Sequence, residues 1–201
     1  MGAPFSFLRD KNDRAFVAWL QLQGVAKSVW PANSNYPLDI SDSPIVTVHS
    51  REGKPEPPGL FFTGVWRFPT VVTVHARAAR QPGEKNPYLR RLAMGAVFAA
   101  VVDALMLSAD GQTNDYVSAG ISAAGRALAT NNAPIHPPTD EDPNPPTIAA
   151  CNPDMADYTC QDVLMSMLDG GNPHVEGAGK DTNVWKEAII VDSICCSANV
   201  S

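Results

Sequence analysis

The residues of this chain with chemistry to offer are four histidines, four cysteines and one run of acids. His49 and His75 fall in two segments, IVTVHSRE (45–52) and VWRFPTVVTVHARA (65–78), that read as paired strands. On a shared polar face, with Arg51 or Arg77 beside them, they would form an acid–base pair or a metal site; solvated cross-strand neighbours are the plainer reading. Cys151, Cys160, Cys195 and Cys196 contain no C-x-x-C pair, and neither His136 nor His174 stands at ligand spacing from one, so small half-buried thiols are expected rather than zinc. Adjacent cysteines bond each other only with strain, and a cytoplasmic chain keeps its thiols reduced. Asp140, Glu141 and Asp142 supply calcium-type oxygens, but without the glycine turn that interleaves ligands in a calcium loop. GAGK at 177–180 lacks the spacing and the leading strand of a phosphate cradle, and SAAGRA is not a nucleophile elbow. These residues predict no catalytic group, no metal and no cofactor, hence a protein that is not an enzyme.

With 201 residues, 44% hydrophobic and 18% charged, the chain is long enough for one domain with a substantial core. The net charge of -6 conceals a split. Residues 1–130 carry 13 Lys+Arg against 10 Asp+Glu, whereas residues 131–201 carry 2 against 11. An acidic C-terminal third is disfavoured as a phosphate-binding surface and suits one that repels DNA. The first fourteen residues show no basic head followed by an apolar run, which predicts cytoplasmic synthesis. The apolar part of the 86–107 segment, Leu92 to Val102, is about half the roughly 20 residues needed to span hydrocarbon. Together with a mean hydropathy of -0.13, this predicts no membrane partner.

Elements must hold these residues in place. DKNDRAFVAWLQLQ (10–23) sets Phe16, Val17 and Leu20 on one helical face, with Asp10, Asn12 or Asp13 as caps and Gly24 as the stop. VWPANSNYPLDISDSP reads as a loop, and GKPEPPGLFFTG as a long hairpin connection. In the 65–78 strand, alternation sets Trp66, Phe68, Thr70, Val72, Val74 and Ala76 on one side, with a bulge or an edge position expected at Pro69. NPYLRRLAMGAVFAAVVDALML (86–107) is a helix capped by Asn86 and started by Pro87. A weaker helix covers 114–130, where Gly120 and Gly125 each cost roughly 1 kcal/mol relative to alanine. Residues 131–157 form an acidic, Pro-rich insertion or arm. MADYTCQDVLMSMLDG and NVWKEAIIVDSICCSAN read as two more strands, the second with helix as the alternative. The whole predicts one α+β domain over 1–201: an antiparallel sheet of about four strands, helices packed on one face, a long loop and the Pro-rich insertion.

The 86–107 helix lacks a wet side. If Leu89, Leu92, Ala93, Ala96, Val97, Ala100, Val101, Ala104 and Leu105 face the core, Met94, Phe98, Val102 and Met106 back them with a second apolar face. Bare, that face of about 400 Å² exceeds what soluble monomers usually expose. Either the 114–130 helix covers it or an identical subunit does. Leu92, Met94, Phe98, Val102 and Met106 are therefore the expected subunit interface.

FTGVWRFPTVVTVHARA, then NPYLRRLAMGAVFAAVVDALM, then a late VWKEAIIVDSICC behind an N-terminal helix, resembles the tail terminator (tail completion) proteins of tailed bacteriophages. The resemblance implies a small subunit that forms a ring, usually a hexamer, on the last ring of the tail tube. It would end tube growth, meet the head–tail connector protein, and leave an axial channel through which DNA passes without sequence-specific binding. The implied location is the virion tail or neck, after assembly in the host cytoplasm. Contacts with tube or connector are expected at Pro57, Leu60, Phe61 and Phe62 of the hairpin loop, and at Asp140, Glu141 and Asp142 of the arm. A head–tail connector, a tail tube subunit and a small hydrolase or metal enzyme are the alternatives.

Overall fold

The computed structural model describes residues 4–32, 44–57, 64–77, 88–106, 115–176 and 184–197. Helix α1 (Pro4–Leu22) starts two turns earlier than expected. Asp10, Asn12 and Asp13 are therefore mid-helix residues rather than caps. Its end is as expected: Gly24 takes φ 64°, its N–H reaches the Gln21 carbonyl, and the Val25 N–H reaches back to Leu20. A glycine at this left-handed position closes the last carbonyls without steric cost.

Among the described residues the sheet has six strands rather than four and is mixed rather than purely antiparallel. Strand β1 (Ser28–Pro31) lies where a loop was expected and pairs in parallel with β2 (Ile45–Ser50). Strand β3 (Lys54–Pro55) continues along the same side of β4 (Val65–Arg77) after β2 has ended. Antiparallel β6 (Val184–Ser197) and β5 (Tyr158–Glu176) complete the order β1-β2-β4-β6-β5. The strand reading of the last segment holds, and the helical alternative does not.

Pro69 needs no bulge in β4, since the β4–β6 register runs unbroken from Val65 to Arg77. The Pro69 carbonyl accepts from the Arg51 N–H at 2.8 Å. The donor it lacks would point toward the same side, facing Arg51 just past the last β2 pair at Ser50–Thr70, so the missing bond falls at the end of that ladder and not within it.

The expected inner face of β4 is correct: Trp66, Phe68, Thr70, Val72, Val74 and Ala76 are all buried. Helices α1, α2 (Tyr88–Met106) and α3 (Asp115–Leu128) contribute to the same hydrophobic cluster as this face. The two glycines of α3 are where helices meet. A Cβ on Gly120 would run into the Trp19 ring, and one on Gly125 would lie 2.9 Å from the Ala15 Cβ. What reads as a propensity defect is a close approach of α1 to α3.

The 131–157 segment is an arm only in its first part. Residues 131–147 close on themselves through a Pro134–Thr147 bridge and a bond from the Ile135 N–H to the Pro146 carbonyl. Short helix α4 (Ile148–Cys151), capped by Thr147, and a 3₁₀ turn (Pro153–Asp157) then bring the chain down onto α1. Met155 is fully buried there, and Arg14 holds Asp154 through two nitrogen–oxygen contacts of 3.1 and 2.6 Å.

Candidate interaction surface

From Leu92 to Val102 helix α2 has no polar side chain, so composition alone leaves the orientation of that stretch open. The chain resolves this by turning Met94, Val101, Ala104 and Leu105 fully inward, with Val97, Phe98, Ala100, Val102 and Met106 packed half-buried against the core. The expected core-facing set is right from Val97 onward and wrong before it. Leu89 and Leu92 are 60% and 54% exposed, and Ala93 and Ala96 are exposed with them.

The expected interface residues divide accordingly. Of Leu92, Met94, Phe98, Val102 and Met106, only Leu92 lies on the bare face. Met94 is 1% exposed and belongs to the chain's own core.

The bare face is a continuous line. Leu89, Leu92, Ala96, Ala99 and Asp103 follow one another at steps of three and four, beside Arg91, Ala93 and Gly95, all exposed. Over the fourteen steps from Leu89 to Asp103 this line is about 21 Å long. A Cβ on Gly95 would meet nothing within 4 Å, so this helix backbone is open to a neighbour. Small residues let a second element approach closely. At its C-terminal end, α2 is fixed by the Trp19 indole, whose N–H donates to the Ala104 carbonyl at 3.0 Å. Beside that bond, Gln23, Val25, Ala100, Asp103 and Ala104 line an open groove of 280 Å³. Its polar side chains are one carboxylate, Asp103, and one amide, Gln23.

Of the residues expected to meet a tube or connector, Pro57, Asp140 and Glu141 are exposed, and Asp142 is half-buried. The Asp142 carboxylate is 3.2 Å from the His136 ring. Leu60, Phe61 and Phe62 lie outside the described residues. His49 and His75 are not brought together. They stand opposite Val71 and Ile45 respectively, an offset of four residues, or roughly 13 Å along the strand. His75 Nε2 is bonded to Thr47 Oγ1 at 2.8 Å. Burial, then the nearby Arg9 and Arg51, push His49 below its usual pKa. Among the described residues, no three His, Cys, Asp or Glu side chains gather as a metal site, and no helix is long and apolar enough to cross a membrane.

The feature least visible in the sequence is a polar seam between α1 and the sheet. Asn12 Nδ2 donates to Ser50 Oγ at 2.8 Å and to Thr70 Oγ1 at 2.9 Å, while Asn12 Oδ1 accepts from the Tyr158 hydroxyl at 2.7 Å. Asp13 Oδ1 accepts from the Ser50 N–H at 2.7 Å and from its hydroxyl at 2.6 Å. Thr70 Oγ1 and Ser193 Oγ are 2.9 Å apart, which carries the seam across β4 to β6. At one end Lys11 Nζ donates to Asp157 at 2.8 Å and to Ser197 Oγ at 3.0 Å. Burial raises the Asp13 carboxyl to about 6, against the partly opposing Ser50 bonds. Burial likewise pushes the Cys160 thiol up to about 12 and Cys195 well above its ordinary value. Neither thiol is a nucleophile at neutral pH. Every named bond of the seam is internal, so its role is to position α1 on the sheet.

The signal for the seam was present in two places. KND interrupts an otherwise apolar helix face at the spacing of Phe16, and Ser50, Thr70 and Ser193 sit at inward strand positions where alternation calls for apolar residues. No family model and no curated protein sequence matches the chain.

Proposed function

We propose that this chain is a virion structural subunit of the tail terminator kind, which assembles with copies of itself into a ring at the head-proximal end of a phage tail tube. One observation carries the reading: the exposed line of α2, with Leu89 and Leu92 bare beside Ala93, Gly95, Ala96 and Ala99. Leaving such a face in water forgoes burial worth roughly 25 cal/mol per Å². In a ring, the line of one copy meets a different surface of the next, and the contact repeats until it closes. A stable interface buries about 800 Å² per partner, more than one helix line offers, so further exposed side chains of the neighbouring copy join it. Leu22, Trp30 and Tyr116 are large hydrophobics exposed outside α2.

The loop carrying Pro57 and the acidic arm carrying Asp140, Glu141 and Asp142 are then the contacts to tube and connector. The negative balance of residues 131–201 favours a channel past which DNA slides, since cations on such a wall would hold phosphates. The reading needs no catalytic residue, cofactor or metal. Adding the purified chain to polymerising tail tube protein tests it: terminated tubes of limited length with this chain at one end support the proposal. Tubes that grow unchanged and carry none of it overturn it.

A further inference from the structure

Cys160 on β5 and Cys195 on β6 are register partners. Both are buried, at 4% and 0% exposure, and both are free thiols. The geometry of the pair follows from where the Cys160 backbone bonds go. Its N–H donates to Ser122 Oγ at 2.7 Å, and its carbonyl accepts from the same hydroxyl at 3.0 Å. Since β5 ends the sheet with β6 as its paired neighbour, these groups point away from β6 and toward α3. A residue so oriented belongs to the narrow, non-hydrogen-bonded class of antiparallel pair, with Cα atoms about 4.5 Å apart and side chains close on one face. Disulfides span Cα separations of roughly 4.4–6.8 Å.

We propose that Cys160 and Cys195 are a cross-strand thiol–disulfide pair, closed by a small-molecule disulfide into a covalent staple between β5 and β6. One cysteine thiolate attacks the reagent's S–S bond, forms a mixed disulfide and releases one small thiol. The second cysteine then displaces the other small thiol. Two cysteine sulfurs are oxidised, the two reagent sulfurs are reduced, and the cysteine protons leave with them.

Position sets the other cysteines apart. Cys151 is exposed on α4, and Cys196 turns to the opposite face of β6, where Gln161 Nε2 donates to its sulfur at 3.6 Å. Burial keeps the pair protonated, so closure is slow in the folded chain and proceeds during opening of the β5 edge or during refolding. The proposal does not depend on the ring reading.

The test uses the full chain with Cys151→Ala and Cys196→Ala, refolded from urea in mixed oxidised and reduced glutathione. The expected result is loss of both titratable thiols, a mass lower by two hydrogens with no glutathione attached, and a Tm roughly 5–10 °C above the same protein after reduction. Two persisting thiols, retained glutathione, or a linked form that melts lower would overturn the proposal. Should the double variant not fold, a non-reducing peptide map of the unaltered chain decides. A Cys160–Cys195 link supports the pair; any other link, or none, refutes it.

Discussion

Asn12 and Tyr158 stand 146 positions apart, yet the Tyr158 hydroxyl donates to Asn12 Oδ1 at 2.7 Å with both residues fully buried. The amide's other end divides its protons between Ser50 and Thr70. A single side chain thus joins the N-terminal helix to β2, β4 and β5. Removing the phenol oxygen leaves the Asn12 carbonyl unpaired in the core. Tyr158→Phe is expected to lower stability by about 1–3 kcal/mol, read as a lower denaturant midpoint at unchanged slope.

Asp13 gives the fold a pH dependence of unusual sign. Its folded pKa of about 6 lies above the ordinary 3.8, so the folded state holds a proton that the unfolded chain has released. The contribution is fully present below pH about 4 and is lost as pH rises through about 6, of the order of 2–3 kcal/mol. Asp154 shifts the opposite way under the Arg14 hydrogen bond, so its contribution is lost as pH falls below about 4, outside this window. Stability of the unaltered chain relative to Asp13→Asn is therefore expected to decline from pH 4 to 6 and then level off in urea melts. A difference that stays flat across this range would remove Asp13 as the cause.

Two glycines in helices should respond in opposite directions. Gly120→Ala pushes a methyl into the Trp19 ring and is expected to cost about 1–3 kcal/mol. Gly95→Ala meets nothing and should stabilise the isolated subunit by up to about 1 kcal/mol. Thermal melts of the two variants beside the unaltered chain check both.

Much of the fold was legible because periodicity reports burial. The inner face of β4, the stop at Gly24 and the strand character of the last segment all rest on alternation or on a glycine with a required conformation. What escaped lacks that kind of signal. Strand β1 is four residues long and borders a Pro- and Asn-rich stretch, and its parallel pairing with β2 is a tertiary event. Helix α2 is apolar all round from Leu92 to Val102, so no polar stripe marks which side of that stretch faces out, and the burial of Met94 is not legible for that reason. Asn12 and Asp13 look like caps because polar residues near a helix start usually are; only the hydroxyls of Ser50, Thr70 and Ser193 across from them show why they are buried.

The line Leu89, Leu92, Ala96, Ala99 is the centre of the functional account, and sedimentation of the purified chain at micromolar concentration tests it most directly. The account predicts a closed multiple of the 21.5 kDa subunit. It also predicts that Leu92→Glu combined with Ala96→Glu, both on the exposed face, yields folded single subunits whose melting temperature no longer depends on concentration. The unaltered chain sedimenting as one 21.5 kDa subunit, or the double variant keeping its full oligomeric mass, would contradict it.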